Sequence, residues 1–466
     1  MDILELSRWQ FGITTVYHFF FVPLTIGLSV LVAVMQTKWH RSGDERWLRL
    51  TKFFGKLFLI NFAMGIATGI VQEFQFGMNW SDYSRFVGDI FGAPLAIEGL
   101  LAFFLESTFL GLWIFGWDRL KPGLHLACIW IAAAGTVFSA YFILAANSFM
   151  QNPVGYTLNA ERGRAELTDF GAVLTNKVLM ATFPHQIFGC FMVAGAFVAG
   201  VALWHIMRRP DRDADAFRPA FRLGAVVLLA AGLGTMISGD FQGKVMTEVQ
   251  PMKMAAAEAL YEDAKPAPFS ILTVGTLDGS KEVYKLEVPK LLSFLGTGSF
   301  DGEVRGIDSL QAEYQKTYGP GDYRPNIPVT YWTFRLMITT GGLAMLAALV
   351  MLWSTRGGRT PTSRWLLRSA IVLPLLPMVA NSFGWIFTEM GRQPWVVFGL
   401  MPTSAGVSPG TTMTEIVLSL ATFTALYGVL AVIEVRLLLR YVQAGLPQLE
   451  APADPDDADA PLAFAY

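Results

Sequence analysis

Residues 181–207 read ATFPHQIFGCFMVAGAFVAGVALWHIM, an apolar run that contains no Asp, Glu, Lys or Arg. A bilayer core about 30 Å thick requires about 20 apolar residues per α-helix, so this run predicts a membrane-spanning helix. Eight other runs are long and apolar enough to do the same: 12–36, 53–74, 91–116, 124–149, 222–243, 329–353, 368–390 and 412–440. We therefore predict an all-α integral membrane protein with about nine transmembrane helices.

The overall composition indicates the same class of protein and excludes others. Of the 466 residues, 53% are hydrophobic and 15% are charged, against about 25% charged in typical soluble proteins. The formal net charge of −2 argues against a broad nucleic-acid-binding surface. The two cysteines, Cys128 and Cys190, lie in apolar runs, which excludes a disulfide framework and a thiolate metal cluster.

The first run reads as a retained helix. Asp2 and Glu5 precede it in place of a basic region, and the run is too long for the apolar core of a signal peptide. Basic residues follow this run and recur at intervals along the chain. Lys and Arg concentrate after the first, fifth, seventh and ninth runs. The connections after the second and eighth runs hold only Arg85 and Arg392.

This asymmetry predicts how the chain is oriented, because cytoplasmic loops carry an excess of Lys and Arg. We predict that the N-terminus lies outside and the C-terminus in the cytoplasm, which agrees with an odd number of spans. The basic residues concerned are Lys38, Arg41, Arg46, Arg49, Lys52, Arg208, Arg209, Arg212, Arg218, Arg356, Arg359, Arg364, Arg436 and Arg440.

Two segments do not read as membrane helices. Residues 244–328 form a polar stretch with Gly and Pro that separates helices 1–6 (residues 1–243) from helices 7–9 (residues 329–445). A loop this long in a compact protein is usually functional or disordered, and we predict an extracytoplasmic loop domain between helices 6 and 7. Residues 446–466 are rich in Ala, Pro and Asp, which predicts a disordered acidic C-terminal tail.

Two of the five histidines lie away from the cytoplasmic ends of the predicted helices, whereas His40, His125 and His205 lie at those ends beside basic residues. His18 is about two turns into the first helix from the outside, and His185 is near the outer end of the fifth. Polar residues at such depths are functional hypotheses by default, and histidine is a common protein ligand of haem iron. Each is equally compatible with a packed core histidine, so the residues alone leave both interpretations open.

Acidic residues within a predicted helix point to proton transfer. Glu98 and Glu106 are separated by a little over two turns of the third helix, which predicts that both carboxylates lie on one face, about 12 Å apart along the axis. Paired membrane carboxylates suit a proton relay. Structural hydrogen bonding between helices is the alternative.

The outer ends of the seventh and eighth helices carry further candidates. Arg335 and Met337 lie in the seventh helix, and Glu389 lies in the eighth. A lone methionine is usually core filler. Beside His185 at matching depth, however, Met337 becomes a candidate second axial ligand of a haem iron.

Three motifs relate the chain to a known family. Residues 384–395 read GWIFTEMGRQPW, residues 8–12 read RWQFG and residues 334–337 read FRLM. Together with the polar run after the sixth helix, these motifs resemble subunit I of the cytochrome bd-type quinol oxidases, in the branch with a short quinol-binding loop (the Q-loop). The resemblance extends over essentially the whole chain apart from the tail, and it implies a respiratory-chain protein of the bacterial cytoplasmic (inner) membrane.

The resemblance implies three haems and their ligands. His185 and Met337 resemble the axial pair of a low-spin haem b, and Arg335 resembles the arginine that stabilises its reduced state. His18 and Glu389 resemble ligands of the two high-spin haems at the oxygen-reducing centre. These are a high-spin haem b and a haem d (or a third haem b), and their assignment between the two ligands stays open.

The remaining site residues follow from the same resemblance. Trp385 lies where the family has a tryptophan between haems, and Arg392 belongs to the most specific motif. Glu98 resembles the carboxylate beside the dihaem centre and Glu106 the relay residue that feeds it. Ser139 and Asn147 are expected to line the same path.

Substrate and partners are implied in the same way. Lys253 and Glu258 match quinol-site positions of the Q-loop, although without the resemblance they would read as a solvated helix face. The expected partners are a second integral membrane subunit (subunit II), the membrane quinol pool and O2, with room for small single-span subunits and no role for nucleic acid. The expected reaction is an electrogenic oxidation of quinol at the outer face, with O2 reduced to water by cytoplasmic protons and no pumping.

Three other classes of protein make different predictions. A haem–copper oxidase needs additional histidines for copper, and only His18 and His185 lie near mid-membrane. A proton-coupled transporter using Glu98 and Glu106 would be colourless and would have broken helices. A structural anchor for a redox partner would tolerate replacement of His185, Met337 and Glu389 without a change of spectrum.

Overall fold

The computed structural model describes residues 2–448. Within this range nine helices are long and apolar enough to cross a membrane, which confirms the predicted fold class. They are Ile3–Ser42, Glu45–Met78, Ser81–Phe115, Pro122–Gln151, Phe170–Arg208, Ala214–Val249, Ile327–Ser354, Arg364–Met390 and Met413–Ala444.

Several of these spans consist of more than one helical segment. In chain order the structure contains α1 (Ile3–Ser42), α2 (Glu45–Met78), α3 (Ser81–Ile97), a π-helix (Glu98–Phe103), α4 (Phe104–Phe115) and α5 (Pro122–Gln151). A hairpin of β1 (Tyr156–Asn159) and β2 (Arg164–Leu167) leads into α6 (Phe170–Leu174), α7 (Lys177–Arg208) and α8 (Ala214–Val249).

The polar stretch after the sixth span is ordered in the structure. Because α8 continues to Val249, the predicted boundary at residue 244 falls within that helix. The rest of the stretch contains α9 (Pro251–Glu258), an antiparallel hairpin of β3 (Phe269–Gly275) and β4 (Glu282–Val288), α10 (Leu291–Thr297) and α11 (Ile307–Tyr318). Small clusters of buried Met, Ala, Leu and Tyr side chains hold these elements together.

The last third of the chain completes the bundle. It comprises α12 (Ile327–Ser354), α13 (Arg364–Val372), α14 (Leu375–Met390), the short strands β5 (Trp395–Val397) and β6 (Met401–Pro402), and α15 (Met413–Ala444). Leu446, at the start of the predicted tail, is 3% exposed and packs in the main core. Residues 449–466 of that tail lie outside the described residues.

Small residues let the central helices approach closely. A Cβ atom built on Gly195 of α7 would lie 2.7 Å from the Gly224 carbonyl oxygen of α8, and one on Gly27 of α1 would lie 2.4 Å from the Cys190 carbonyl oxygen. Helix association in membranes depends on such close packing, because lipid removes the hydrophobic driving force between helices. The resulting α1–α7–α8 core positions the site described next.

Candidate functional site

His185 is oriented by the neighbouring helix α8. Its Nδ1 atom lies 3.1 Å from the Thr235 carbonyl oxygen and 3.2 Å from the Ser238 hydroxyl. Gly239 approaches the ring so closely that a Cβ there would meet His185 Cε1 at 3.2 Å. A ligating histidine commonly has its second ring nitrogen held in this way, and this geometry leaves Nε2 available for coordination.

Met337 lies at the same depth on the adjoining helix. Met345 of α12 packs against Gly232 of α8, since a Cβ on Gly232 would lie 2.5 Å from Met345 Sδ. Counted from this contact, Met337 on α12 and Gly239 on α8 each lie about two turns, or about 11 Å, closer to the loop that joins α8 to α12. His185, which packs on Gly239, and Met337 are thus brought to one level of the bundle.

Helix α14 packs beside both His185 on α7 and Met337 on α12. Gln186 donates to Asn381 Oδ1 at 3.0 Å. One turn further along α14, a Cβ on Gly384 would lie 3.0 Å from Met337 Sδ. Glycines at 239 and 384 therefore leave space beside each candidate ligand.

Arg335 offers an independent test of whether a haem fits beside this pair. Its Nη2 atom donates to Glu258 Oε2 at 2.7 Å and to the Ser270 carbonyl at 2.6 Å. Its Nε and Nη1 atoms are buried and have no hydrogen-bond partner in the described structure. Buried N–H groups without partners are rare because they cost free energy, and a carboxylate of a bound cofactor would satisfy them. The donor set thus fits a haem with its propionate at Arg335.

His18 lies on α1 and faces α2. Its Nδ1 atom is 2.8 Å from the Thr68 hydroxyl, and a Cβ on Gly69 would meet the ring at 3.2 Å. As with His185, one ring nitrogen is held and a glycine leaves space beside the ring. Among the described residues no three His, Cys, Asp or Glu side chains gather to hold a bare metal ion, whereas haem iron needs only axial ligands from the protein.

Glu389 is held by charged and polar neighbours. Arg392 Nη1 donates to Glu389 Oε1 at 3.2 Å, its Nη2 forms an ion pair with Oε2, and Asn147 of α5 donates to Oε1 at 3.0 Å. Arg392 is 3% exposed and also donates to the Trp395 carbonyl. The carboxylate is thus held in place by Arg392 from its own end of the span and by Asn147 from α5.

Both carboxylates of the third span face α5 rather than the outside of the bundle. Ser139 donates to Glu98 Oε1 at 2.6 Å. Glu106 is 7% exposed, and a Cβ on Gly135, one turn from Ser139, would lie 3.1 Å from the Glu106 Cβ. The predicted juxtaposition of the two carboxylates is therefore present.

The reason for this alignment differs from the predicted one. In an uninterrupted α-helix, a spacing of eight residues leaves about 80° between the two side chains. The structure instead has a π-helix at Glu98–Phe103, whose wider turn reduces that offset. Such π segments occur frequently at functional sites, and the sequence did not reveal this one.

Trp385 lies between the two histidine regions. Its ring contacts Phe19, next to His18, at 5.0 Å between centroids. It packs against the same small cluster as Phe183, which is two residues before His185. Its Nε1 atom is buried without a partner in the described structure.

Lys253 and Glu258 point to opposite sides of α9. The Lys253 ammonium donates to Gln151 Oε1 at 2.5 Å, whereas Glu258 pairs with Arg335. A Cβ on Gly391 would lie 2.8 Å from Lys253 Cγ, so only glycine admits the lysine here. Both side chains are at least 95% buried, and the solvated helix face that they would otherwise suggest is absent.

Burial changes the acid–base properties of both loop residues. It lowers the pKa of Lys253 to about 7, with the charge of Arg392 acting in the same direction and that of Glu389 opposing it. Burial raises the pKa of Glu258 above its ordinary value, although the Arg335 guanidinium opposes the shift. Groups with such shifts are common at functional sites.

Two side chains of this site, Thr68 and Gln151, were not anticipated from the sequence. Each contacts a candidate residue from another helix, and Asn147, which is expected to line the same path as Ser139, donates to Glu389. For Gln151 the available signal was its spacing from Asn147 on α5, where polar side chains recur one turn apart at the outer end.

Comparison with known proteins gives a consistent result. The family model described as cytochrome bd terminal oxidase subunit I matches residues 6–446. The chain is 49% identical over 446 residues to the cytochrome bd ubiquinol oxidase subunit 1 of Bacillus subtilis, covering 96% of this chain and 94% of that one. It is 36% identical to the cytochrome bd-II ubiquinol oxidase subunit 1 of Escherichia coli, covering 95% and 97%.

A solved structure has the same fold. The bd oxidase from Geobacillus thermodenitrificans superimposes with a TM-score of 0.86 at 28% sequence identity, covering 95% of this chain and 99% of that one. The similarity extends along both chains, so the fold is shared over nearly their whole length.

Proposed function

The chain belongs to the cytochrome bd terminal oxidase subunit I family, and from this premise we propose that it oxidises quinol at the outer membrane face and reduces O2 with cytoplasmic protons. Family membership makes the chain a multi-pass bacterial membrane protein and part of a quinol:oxygen oxidoreductase of the respiratory chain. The family also implies haem b and haem d cofactors. Oxidases of this family are generally complexes of subunits I and II.

The low-spin haem b would be held by His185 and Met337. Arg335 would pair with one of its propionates through the two nitrogens that are otherwise buried without partners. His18 and Glu389 would each ligate one high-spin haem of the oxygen centre. When bound, these haems would supply electron transfer from quinol and the reduction of O2.

The quinol site would lie in the loop between α8 and α12. Glu258 is the candidate acceptor for a quinol proton, because it is buried and lies beside Arg335. Lys253 faces the other side of α9, where it lies beside Gly391 and Arg392. One short helix would thus contact both the low-spin haem region and the Glu389 region.

Protons for water formation would pass along α5. Glu106 would accept a proton from the cytoplasmic side and Glu98, bonded to Ser139, would deliver it toward the oxygen centre. With quinol protons released outside, charge separates across the membrane without a pump. Each charge moved against the potential stores about 2.3 kcal/mol per 100 mV.

The observation that carries this proposal is the Arg335 side chain. It joins the loop carboxylate Glu258 to the helix turn that bears Met337, and it keeps two buried donors free for a cofactor. A transporter using Glu98 and Glu106 gives no reason for these donors.

The test is to purify the complex from a host that makes haem b and haem d, then record its visible and pyridine haemochrome spectra and its quinol-dependent O2 consumption. We expect bound haem and O2 consumption that depends on quinol. A colourless protein that transports protons with a solute would overturn the proposal.

A further inference from the structure

Helix α15 carries a buried carboxylate that neither the candidate haem ligands nor the Glu98–Glu106 pair uses. Glu434 is 6% exposed, while its neighbours Val432, Ile433 and Val435 on the same helix are largely exposed. Within the described residues no hydrogen bond or ion pair reaches its carboxylate. An acidic side chain inside a membrane helix is costly and is retained chiefly for function.

A second buried polar group lies on the same face of α15, two turns toward the outer end. Tyr427 is 3% exposed, and its hydroxyl has no partner in the described structure. Its ring stacks on that of Tyr17 at 4.4 Å, and the Tyr17 hydroxyl donates to the Tyr427 carbonyl at 2.9 Å. The Glu434 carboxylate is close enough to Tyr17 to interact with it electrostatically.

The same stripe continues toward the opposite end of α15. Tyr441 follows Glu434 by two turns, and the Lys56 ammonium of α2 lies 4.1 Å from the centre of its ring. Residues 427, 434 and 441 recur every seven positions, so they share one face. That face packs on α1 and α2. The stripe therefore leads from the membrane face where α1 ends to the turn of α1 that precedes His18.

We propose that Glu434 is a second proton-holding site of this subunit, filled from the inner membrane face near Lys56 and emptied past Tyr427 toward the His18 region. The inference rests on the proposed function, since reduction of each O2 to two waters consumes four electrons from quinol and four protons. In each cycle a proton from cytoplasmic water binds the Glu434 carboxylate and later leaves it for the oxygen being reduced. The route through Glu98 and Glu106 runs beside α5, whereas the route through Glu434 runs beside α1 and α2. The two routes therefore start on different sides of the bundle.

The decisive variant is Glu434→Gln, which keeps the size of the side chain but cannot exchange a proton. We expect turnover to fall by about tenfold, equivalent to about 1.4 kcal/mol of barrier, with the haem spectrum and thermal unfolding unchanged. A second readout is the redox-induced infrared difference spectrum, in which a protonated-carboxyl C=O band should be lost in E434Q and retained in Glu106→Gln. Glu434→Asp should restore part of the turnover.

The matched control is Glu415→Gln on the same helix. Glu415 is exposed and closes the capping box at the start of α15, and glutamine preserves such a cap. It should leave turnover and the infrared band unchanged. Tyr427→Phe, which removes only the unpartnered hydroxyl, should slow turnover without loss of haem.

The outcomes separate this inference from the proposed function. Wild-type turnover and an unchanged carboxyl band in E434Q, alongside a slow E106Q, would overturn the second site alone. If E434Q loses haem or stability and E434D does not recover turnover, Glu434 is structural and the inference is wrong. Absence of haem and quinol oxidation in the wild-type complex would overturn the proposed function itself.

Discussion

The Lys253 ammonium lies 2.5 Å from Gln151 Oε1, a contact between the short helix of the loop and the end of α5. A second bond strengthens it, because Gln250 Nε2 donates to the Gln151 carbonyl at 2.8 Å. Helix α5 also presents Asn147 to Glu389 and Ser139 to Glu98. One face of α5 therefore contacts the loop, a candidate haem ligand and the proposed proton path.

Lys253 should make quinol binding depend on pH. Burial lowers its pKa to about 7, so the ammonium form is present below this pH and is lost as the pH rises through it. We expect the KM for quinol to rise across that range and to be high and nearly independent of pH in Lys253→Met. The exposed loop variant Lys290→Met is the control and should keep the wild-type profile. A wild-type profile in K253M would remove Lys253 from the quinol site.

Met337→Leu should disturb the low-spin haem alone, because leucine fills the space of methionine but offers no sulfur ligand. The measurement is the reduced-minus-oxidised spectrum with a redox titration. Met345→Leu, two turns away on the same helix, is the matched control and should leave both unchanged. An unaltered low-spin spectrum in M337L would show that another residue is the ligand.

Gly384→Ala should produce a milder version of the same change. The new Cβ would lie 3.0 Å from Met337 Sδ, so the methionine must move by a few tenths of an ångström. We expect a shifted low-spin midpoint potential with full haem content. Gly342→Ala on α12, which meets nothing within 4 Å, should leave the potential unchanged, and equal behaviour of the two variants would contradict the prediction.

Glu106→Gln should slow O2 consumption by about tenfold or more, equivalent to at least about 1.4 kcal/mol of barrier, while quinol still reduces the haems. The reason is that glutamine keeps the packing against Gly135 but cannot carry a proton. Stopped-flow reduction and steady-state O2 uptake distinguish the two steps. Thr108→Val, two residues along and exposed, is the control. Full turnover in E106Q would refute the relay.

Individual residues illustrate how far sequence reasoning extends. The number of spans followed from the length of the apolar runs, because an apolar stretch that is long enough to cross the membrane can satisfy its backbone hydrogen bonds there only as a helix or in a closed barrel. The choice of His18, His185 and Glu106 as candidate site residues followed from the cost of polar groups at depth. Glu434 obeys the same rule, but its position beside Arg436 and Arg440 is typical of the end of a span, so the sequence does not distinguish it.

The sequence by itself determined the membrane class, the number of spans and the motifs that relate the chain to its family, because these depend on local composition and spacing. Only the tertiary structure decided that Lys253 and Glu258 face opposite regions, that a π-helix aligns Glu98 with Glu106, and that Arg335 keeps two buried donors free. Those features depend on which helices pack together and on the depth at which they meet. Contacts between side chains that are distant along the chain determine both the pairing and the depth.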